Sequence, residues 1–287
     1  MDTNVSLMEK FIRDRKKLKS YSSLKYESHA PRPYLFIDQP EVLAGFAGYL
    51  KFQCLKKNPK AKVFCRGQVN DHPSIPGLFR GKDLSSDHLK RRLAAYEALV
   101  SKAKYLYNAS RFQQENIHAI FQHYGLKTPW LDLVDNVFVA LWFATHRYFA
   151  ENNGNKAHYE ISRKEFGHIY FYATTSKTEY FDLREKHSSL SLRLHVQHGI
   201  SITRRETTWT LANRSLDDHL VATVKFPNGK EWRPSGQIFS TKFLFPSTDL
   251  DNTYKYLKME KFSELLSQIS HGYQLGEDEL GRVADFG

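Results

Sequence analysis

The period of the apolar residues changes near the middle of this 287-residue chain, and that change most narrows what it can fold into. Up to about residue 150 the apolar positions recur at helical spacing; beyond it they fall into short runs and alternations. Helices followed by strands point to an α+β fold, with a helical N-terminal part and then a mainly antiparallel β-sheet, rather than a doubly wound α/β fold. Residues 5–19 predict a basic amphipathic helix, with Val5, Met8, Phe11, Ile12 and Leu18 on one face. Pro40 opens a helix to Lys57, stopped by Asn58-Pro59. A short strand, Val63 to Arg66, precedes a Pro-rich loop. Helices are expected over 85–108, capped by Ser85 or Ser86, and over 111–124, closed by Gly125. Asp135 or Asn136 then caps a helix with the stripe Val137, Ala140, Leu141, Ala144 and Tyr148. Strands are expected at His168–Ala173, Leu194–Thr203, Leu220–Phe226 and Ile238–Phe245, and a last helix from about Lys258 to Ser270. With no repeat or clean linker, the chain divides into an N-terminal helical extension, 1–58, and a domain over 59–287, expected to form one compact unit.

Lys and Arg number 42 against 31 Asp and Glu, a net charge of +11. The cations cluster at Arg13–Lys19, Lys56–Lys62 and Lys90–Arg92. Such a surface attracts polyanions by counterion release, which makes DNA or RNA the expected partner. A solvated basic face is the alternative. No apolar run is long enough for a membrane span, so no membrane partner is expected. Cys54 and Cys65 alone exclude a disulfide scaffold and a thiolate zinc cage. With no apolar leader after Met1, a cytoplasmic location is expected.

Three clusters carry candidate chemistry. Phe64-Cys65-Arg66-Gly67-Gln68, with Ile75-Pro76-Gly77-Leu78-Phe79-Arg80 downstream, sets an Arg at a strand end beside a Gly. The Gly lets a ligand approach the backbone, and the two guanidinium groups can grip phosphate. A structural ion pair is the competing reading. In Gln122-His123-Tyr124-Gly125-Leu126-Lys127-Thr128-Pro129-Trp130-Leu131-Asp132, a helix end runs into a polar, aromatic turn. His123 there is a base or a helix cap, Tyr124 a wall or core, and Asp132 an orienting carboxylate. In the third cluster, His195 and His198 fall three apart on an expected strand and point to opposite faces, so no metal is expected; Gln197 faces a ligand. Phosphate-loop, dinucleotide-fold and G-x-S-x-G signatures are absent.

These clusters, in this order, resemble the FRG domain family. The likeness runs over about residues 60–245 and rests on Phe64–Gln68, on Gln122–Leu126 with Thr128, Leu131-Asp132 and Ala140-Leu141-Trp142-Phe143-Ala144, and on Gln197-His198-Gly199. The chain departs from the family at Pro129-Trp130, where Arg-Leu is usual, and at Asp132-Leu133-Val134, where Asp-Trp-Thr is usual. The layout is also similar to ADP-ribosyltransferases.

The resemblance implies an NAD-dependent ADP-ribosyltransferase acting on a DNA or RNA base, in a bacterial or phage defence or toxin role with a possible toxin, antitoxin or defence partner. Arg66, His123, Asp132 and Gln197 would be catalytic. Arg66, Gln68, Arg80, Tyr124, Thr128 and Trp130 would hold NAD, with Arg66 and Arg80 on the pyrophosphate and Tyr124 or Trp130 against nicotinamide. Glu115 or Glu206 could supply the carboxylate in place of Asp132. The alternatives are a non-catalytic nucleic-acid-binding or regulatory module and a nuclease.

Overall fold

A computed structural model describes residues 7–13, 25–27, 32–81, 84–106, 117–151, 156–186, 191–205, 209–276, 279–281 and 283. Residues 7–13 form a helix, α1. The strands are β1 (Lys25–Glu27), β2 (Tyr34–Phe36), β3 (Val63–Gln68), β4 (Leu131–Val134), β5 (His146–Glu151), β6 (Lys156–Ile161), β7 (Phe166–Ala173), β8 (Thr178–Asp182), β9 (Gly199–Arg204) and β10 (Leu220–Pro227). The remaining helices are α2 (Pro40–Lys57), α3 (Ser86–Leu106), α4 (Ile117–His123), α5 (Val137–Thr145), α6 (Leu183–Lys186), α7 (Leu192–Val196), α8 (Thr241–Leu244), α9 (Asn252–Leu257) and α10 (Glu260–Gly272).

Eight strands form one sheet in the order β1-β2-β10-β7-β3-β4-β9-β8, and β5-β6 form a separate pair. All neighbours are antiparallel except β2 and β10, which run parallel through Leu35↔Val224 and Phe36↔Lys225. The fold is therefore mixed α and β around a large, mostly antiparallel sheet. The expected succession of helices and then strands is corrected, because β1–β4 lie among the helices of the first half. The sequence pattern missed β4 because a four-residue strand carries too little alternation to separate from a loop.

Three further expectations change. Leu192–Val196 is helix, so His195 lies on α7 and His198 in the turn after it, at φ 52; the two do not share a strand. Short apolar runs fit either state, and here only the half from Gly199 finds a strand partner. Ile238–Phe245 is not a strand but a 3-10 turn followed by α8, whose first turn the Ser240 hydroxyl caps by accepting from the Phe243 N–H at 3.2 Å. Tyr148 belongs to β5, because α5 stops at Thr145, whose hydroxyl bonds back to the Leu141 and Trp142 carbonyls.

Each sheet face has its own core. On one face α1, α2 and α5 pack through Phe11, Leu43, Phe46, Leu50 and Ala140 against Ile169, Phe171 and Val224. On the other, Phe64, Leu131, Leu133, Tyr170, Tyr172, Ile200 and Ile202 form a smaller cluster. Helices α3, α4, α9 and α10 close a third through Leu99, Phe121, Tyr254 and Phe262. Gly67 fixes how closely α5 lies on β3: a Cβ there would come within 1.7 Å of the Ala140 carbonyl oxygen. The close approach that this Gly permits is therefore that of a helix.

Candidate functional site

Strands β3 and β4 pair at one point, Cys65↔Val134. On the Arg66 side of that pair a cavity of roughly 160 Å³ opens between them. Its lining includes Arg66, His123, Asp132 and Gln197, together with Phe143 and Tyr159. The four residues expected to be catalytic thus converge from β3, α4, β4 and the end of α7.

Arg66 sits opposite Tyr170 of β7. Its Nη1 donates to the Asp132 carbonyl at 2.5 Å, replacing the strand-to-strand bond missing there. Its Nε is buried with no hydrogen-bond partner in the protein. Asp132 is held from one side: Gln122 donates to Oδ2 at 3.1 Å, Thr128 donates to Gln122 Oε1 at 2.5 Å, and the Trp130 N–H donates to the Thr128 hydroxyl at 3.1 Å. Asp132 Oδ1 is left buried without a partner.

His123 ends α4 with its ring buried, and its Nε2 lies 3.5 Å from Asp132 Oδ1. That nitrogen too has no hydrogen-bond partner. Burial lowers its pKa; Asp132 opposes the shift, Arg193 adds to it, Gln197 opposes and Arg66 adds. The ring is neutral at pH 7. Gln197 is fixed at its other end, donating to the Leu244 carbonyl at 2.7 Å. Tyr159 stacks on Phe245 at 4.8 Å, and burial raises its pKa, so it stands as a neutral hydroxyl.

Of the residues expected to hold a cofactor, only Arg66 lines the cavity. Arg80 lies nearby at the protein surface, with Nε on the Ile75 carbonyl. The surrounding protein and then the Arg66 guanidinium push its pKa down to about 10. Gln68 ends β3, opposite His168. Thr128 is fully buried in the chain that holds Asp132. Tyr124 is buried in the helical core, donating to Asp251 at 2.7 Å. Trp130 packs on Phe181 at 5.0 Å. Glu115 and Glu206 lie outside the described residues. Two residues of the site stand in the quoted clusters without being expected there: Gln122, which holds Asp132, and Phe143, which lines the cavity. Tyr159 comes from β6, where the sequence pattern predicts no element.

Among the described residues no group of three or more His, Cys, Asp or Glu side chains is placed to hold a metal ion, and no helix is long and apolar enough to cross a membrane.

The family model for the FRG domain covers residues 61–153, which include Arg66, His123 and Asp132 but not Tyr159 or Gln197. No curated protein and no solved structure matches the chain.

Proposed function

We propose, with the FRG domain at residues 61–153 as premise, that the chain is an NAD-dependent ADP-ribosyltransferase that modifies nucleic acid, in a bacterial or phage defence or toxin role. One observation carries the reading: buried Arg66 Nε, His123 Nε2 and Asp132 Oδ1 converge on one cavity with no hydrogen bond to the protein, His123 Nε2 and Asp132 Oδ1 facing each other at 3.5 Å. Unsatisfied buried polar atoms are costly, and three at one place suit a polar ligand. At roughly 160 Å³ the cavity is smaller than a drug-sized site. It suits the nicotinamide end of NAD, with the rest of the molecule along the surface toward Arg80.

NAD supplies a glycosidic bond whose breakage leaves positive charge on the ribosyl carbon while nicotinamide departs as a neutral ring. The Asp132 carboxylate, oriented by Gln122, is the group that can stabilise that charge. Arg66, tied to the β4 backbone, presents Nε to a phosphate or ribose oxygen. Tyr159 and Phe143 form the aromatic wall, in the place that the sequence reading gave to Tyr124 or Trp130. Neutral His123 can accept the proton that the acceptor nucleophile loses as it bonds to the ribosyl carbon.

The test incubates labelled NAD with single-stranded DNA, duplex DNA, RNA and lysate, with Arg66→Ala and Asp132→Asn in parallel. Label on a polymer, lost in both variants, supports the reading. Label on nothing and no nicotinamide released overturns it, and leaves a non-catalytic nucleic-acid module.

A further inference from the structure

The turn between α7 and β9 sets two parts of the site. Gln197 lines the cavity, and Gly199 packs so closely on His123 that an added Cβ would crowd the ring. His198 stands between them at φ 52, in the left-handed region that residues other than glycine rarely adopt. Both its backbone and its ring are held. The Asp135 N–H donates to the His198 carbonyl at 3.1 Å, and the His198 N–H donates to the His195 carbonyl at 3.1 Å. Arg184 of α6 donates from Nη1 to the ring Nδ1 at 3.0 Å. A guanidinium can only donate, so this Nδ1 carries no proton and the ring is neutral. Burial, and after it Arg184, lowers the pKa of the ring, against Asp135 and Asp182.

Arg184 is fixed in turn. Its Nε and Nη2 donate to the two Asp182 carboxylate oxygens at 2.9 and 2.6 Å, and Nη2 also donates to Asp135 Oδ2 at 3.2 Å. Lys51 of α2 donates to the other Asp135 oxygen at 3.0 Å. One guanidinium therefore ties the end of β8 and the turn before α5 to His198. Lys51, Asp135, Arg184 and His198 line a groove of their own, so Arg184 meets the cavity from behind, through the turn. Half-exposed ion pairs add little stability, so the consequence of this network lies in the geometry it fixes.

We propose that Arg184 is a positioning residue of the site: through His198 it holds residues 197–199 in the one backbone conformation that aims Gln197 into the cavity and seats Gly199 against His123. The inference deepens the transferase reading and rests on it for its effect on turnover, but the positioning can be measured without NAD.

The experiment records NMR spectra of protein with ring-labelled histidine, the His123 signals being assigned by their absence in His123→Gln. Arg184→Met removes the donors. His198→Ala removes the acceptor and changes no charge, so any movement of the His123 signals in it reports geometry. His198→Asn keeps an acceptor of similar reach and tolerates the left-handed backbone. The His123 signals should move in Arg184→Met and His198→Ala and return to their wild-type positions in His198→Asn. Nicotinamide release from NAD should follow the same order, with kcat down roughly ten-fold in the first two and wild-type in the third. Unmoved His123 signals in His198→Ala, or signals in His198→Asn displaced as far as in His198→Ala, overturn the positioning role. The expected movements in a protein whose wild type releases no nicotinamide sustain the positioning and remove the transferase. Wild-type turnover with unmoved signals in Arg184→Met and His198→Ala does the reverse.

Discussion

Gly199 and the His123 imidazole share one space: a Cβ on residue 199 would lie 2.6 Å from both Cε1 and Nε2 of the ring. The Gly in the Gln197-His198-Gly199 run is thus a seat for the histidine. Gly199→Ala should displace His123 from Asp132 and lower label transfer at least ten-fold. Overpacking of this kind costs about 1–3 kcal/mol, so a urea melt should show a folded but weaker protein.

Gly67→Ala should behave differently. Its Cβ would meet backbone, the Ala140 oxygen at 1.7 Å and the Ala144 nitrogen at 2.7 Å, and backbone cannot swing aside. A loss of about 3 kcal/mol or more is expected, at the upper end for overpacking. Retention of wild-type stability in a urea melt would mean that α5 does not lie so close.

Thr128→Val removes the donor that holds Gln122, and Gln122 in turn holds Asp132. The half-buried Gln122 oxygen would lose its partner, at about 1 kcal/mol. If Asp132 acts on the reacting carbon, the turnover rate should fall with little change in the KM for NAD.

Tyr124→Phe separates core from wall. The hydroxyl donates to buried Asp251, which also accepts from the Arg193 and Tyr254 backbone N–H groups. Its loss should cost about 1.5–3 kcal/mol, as for bonds to charged groups, and leave the KM for NAD unchanged. A shifted KM at unchanged stability would return Tyr124 to the nicotinamide wall.

Acid should weaken the fold in two windows. Burial is the largest influence on His123, His146, His168, His198 and His219, and each has its pKa lowered from 6.5. The unfolded chain takes these protons first, so stability declines as pH falls below about 6.5. Glu279 is the opposite case. Its burial works against the shift, but hydrogen bonds from His88 and Arg92 outweigh it and hold its pKa at about 2, down from 4.5. That contribution is complete above 4.5 and is lost as pH falls toward 2. Urea melts at pH 7, 5.5, 4.5 and 3 separate the windows. Transfer activity should persist somewhat below pH 6.5 and then fall as His123 gains its proton.

Helices with full apolar stripes or clear stops, such as Pro40–Lys57 and the one begun at Ser86, were legible because Pro40, Asn58-Pro59 and Ser85, whose hydroxyl accepts from the His88 N–H, act locally. So were Val63, Leu220 and their neighbours, where β-branched and aromatic residues meet turn signals. Leu194–Val196 and Ile238–Phe245 were not, since helix and strand there differ only in which neighbour receives the backbone, while Gly199–Thr203 is strand as expected. Arg66, His123 and Asp132 were recognisable as polar groups beside a Gly or a turn, whereas Gln197, expected on a strand, closes α7 instead. Tyr159 was hidden because its place depends on a hairpin folding back over α5. Tyr124 and Trp130 stand in the same cluster as His123, yet the partners that bury them, Asp251 and Phe181, come far later in the chain.

Strand β10 lies between β2 and β7, although it follows β2 by more than 180 residues. During synthesis the pair β1–β2 therefore has no neighbour until Leu220–Pro227 has left the ribosome. The cavity is completed later still, because Leu244 anchors Gln197 and Phe245 backs Tyr159. Arg66, His123, Asp132 and Gln197 all emerge before the wall that encloses them. A nascent chain would therefore carry these four side chains before Leu244 and Phe245 close the cavity around them.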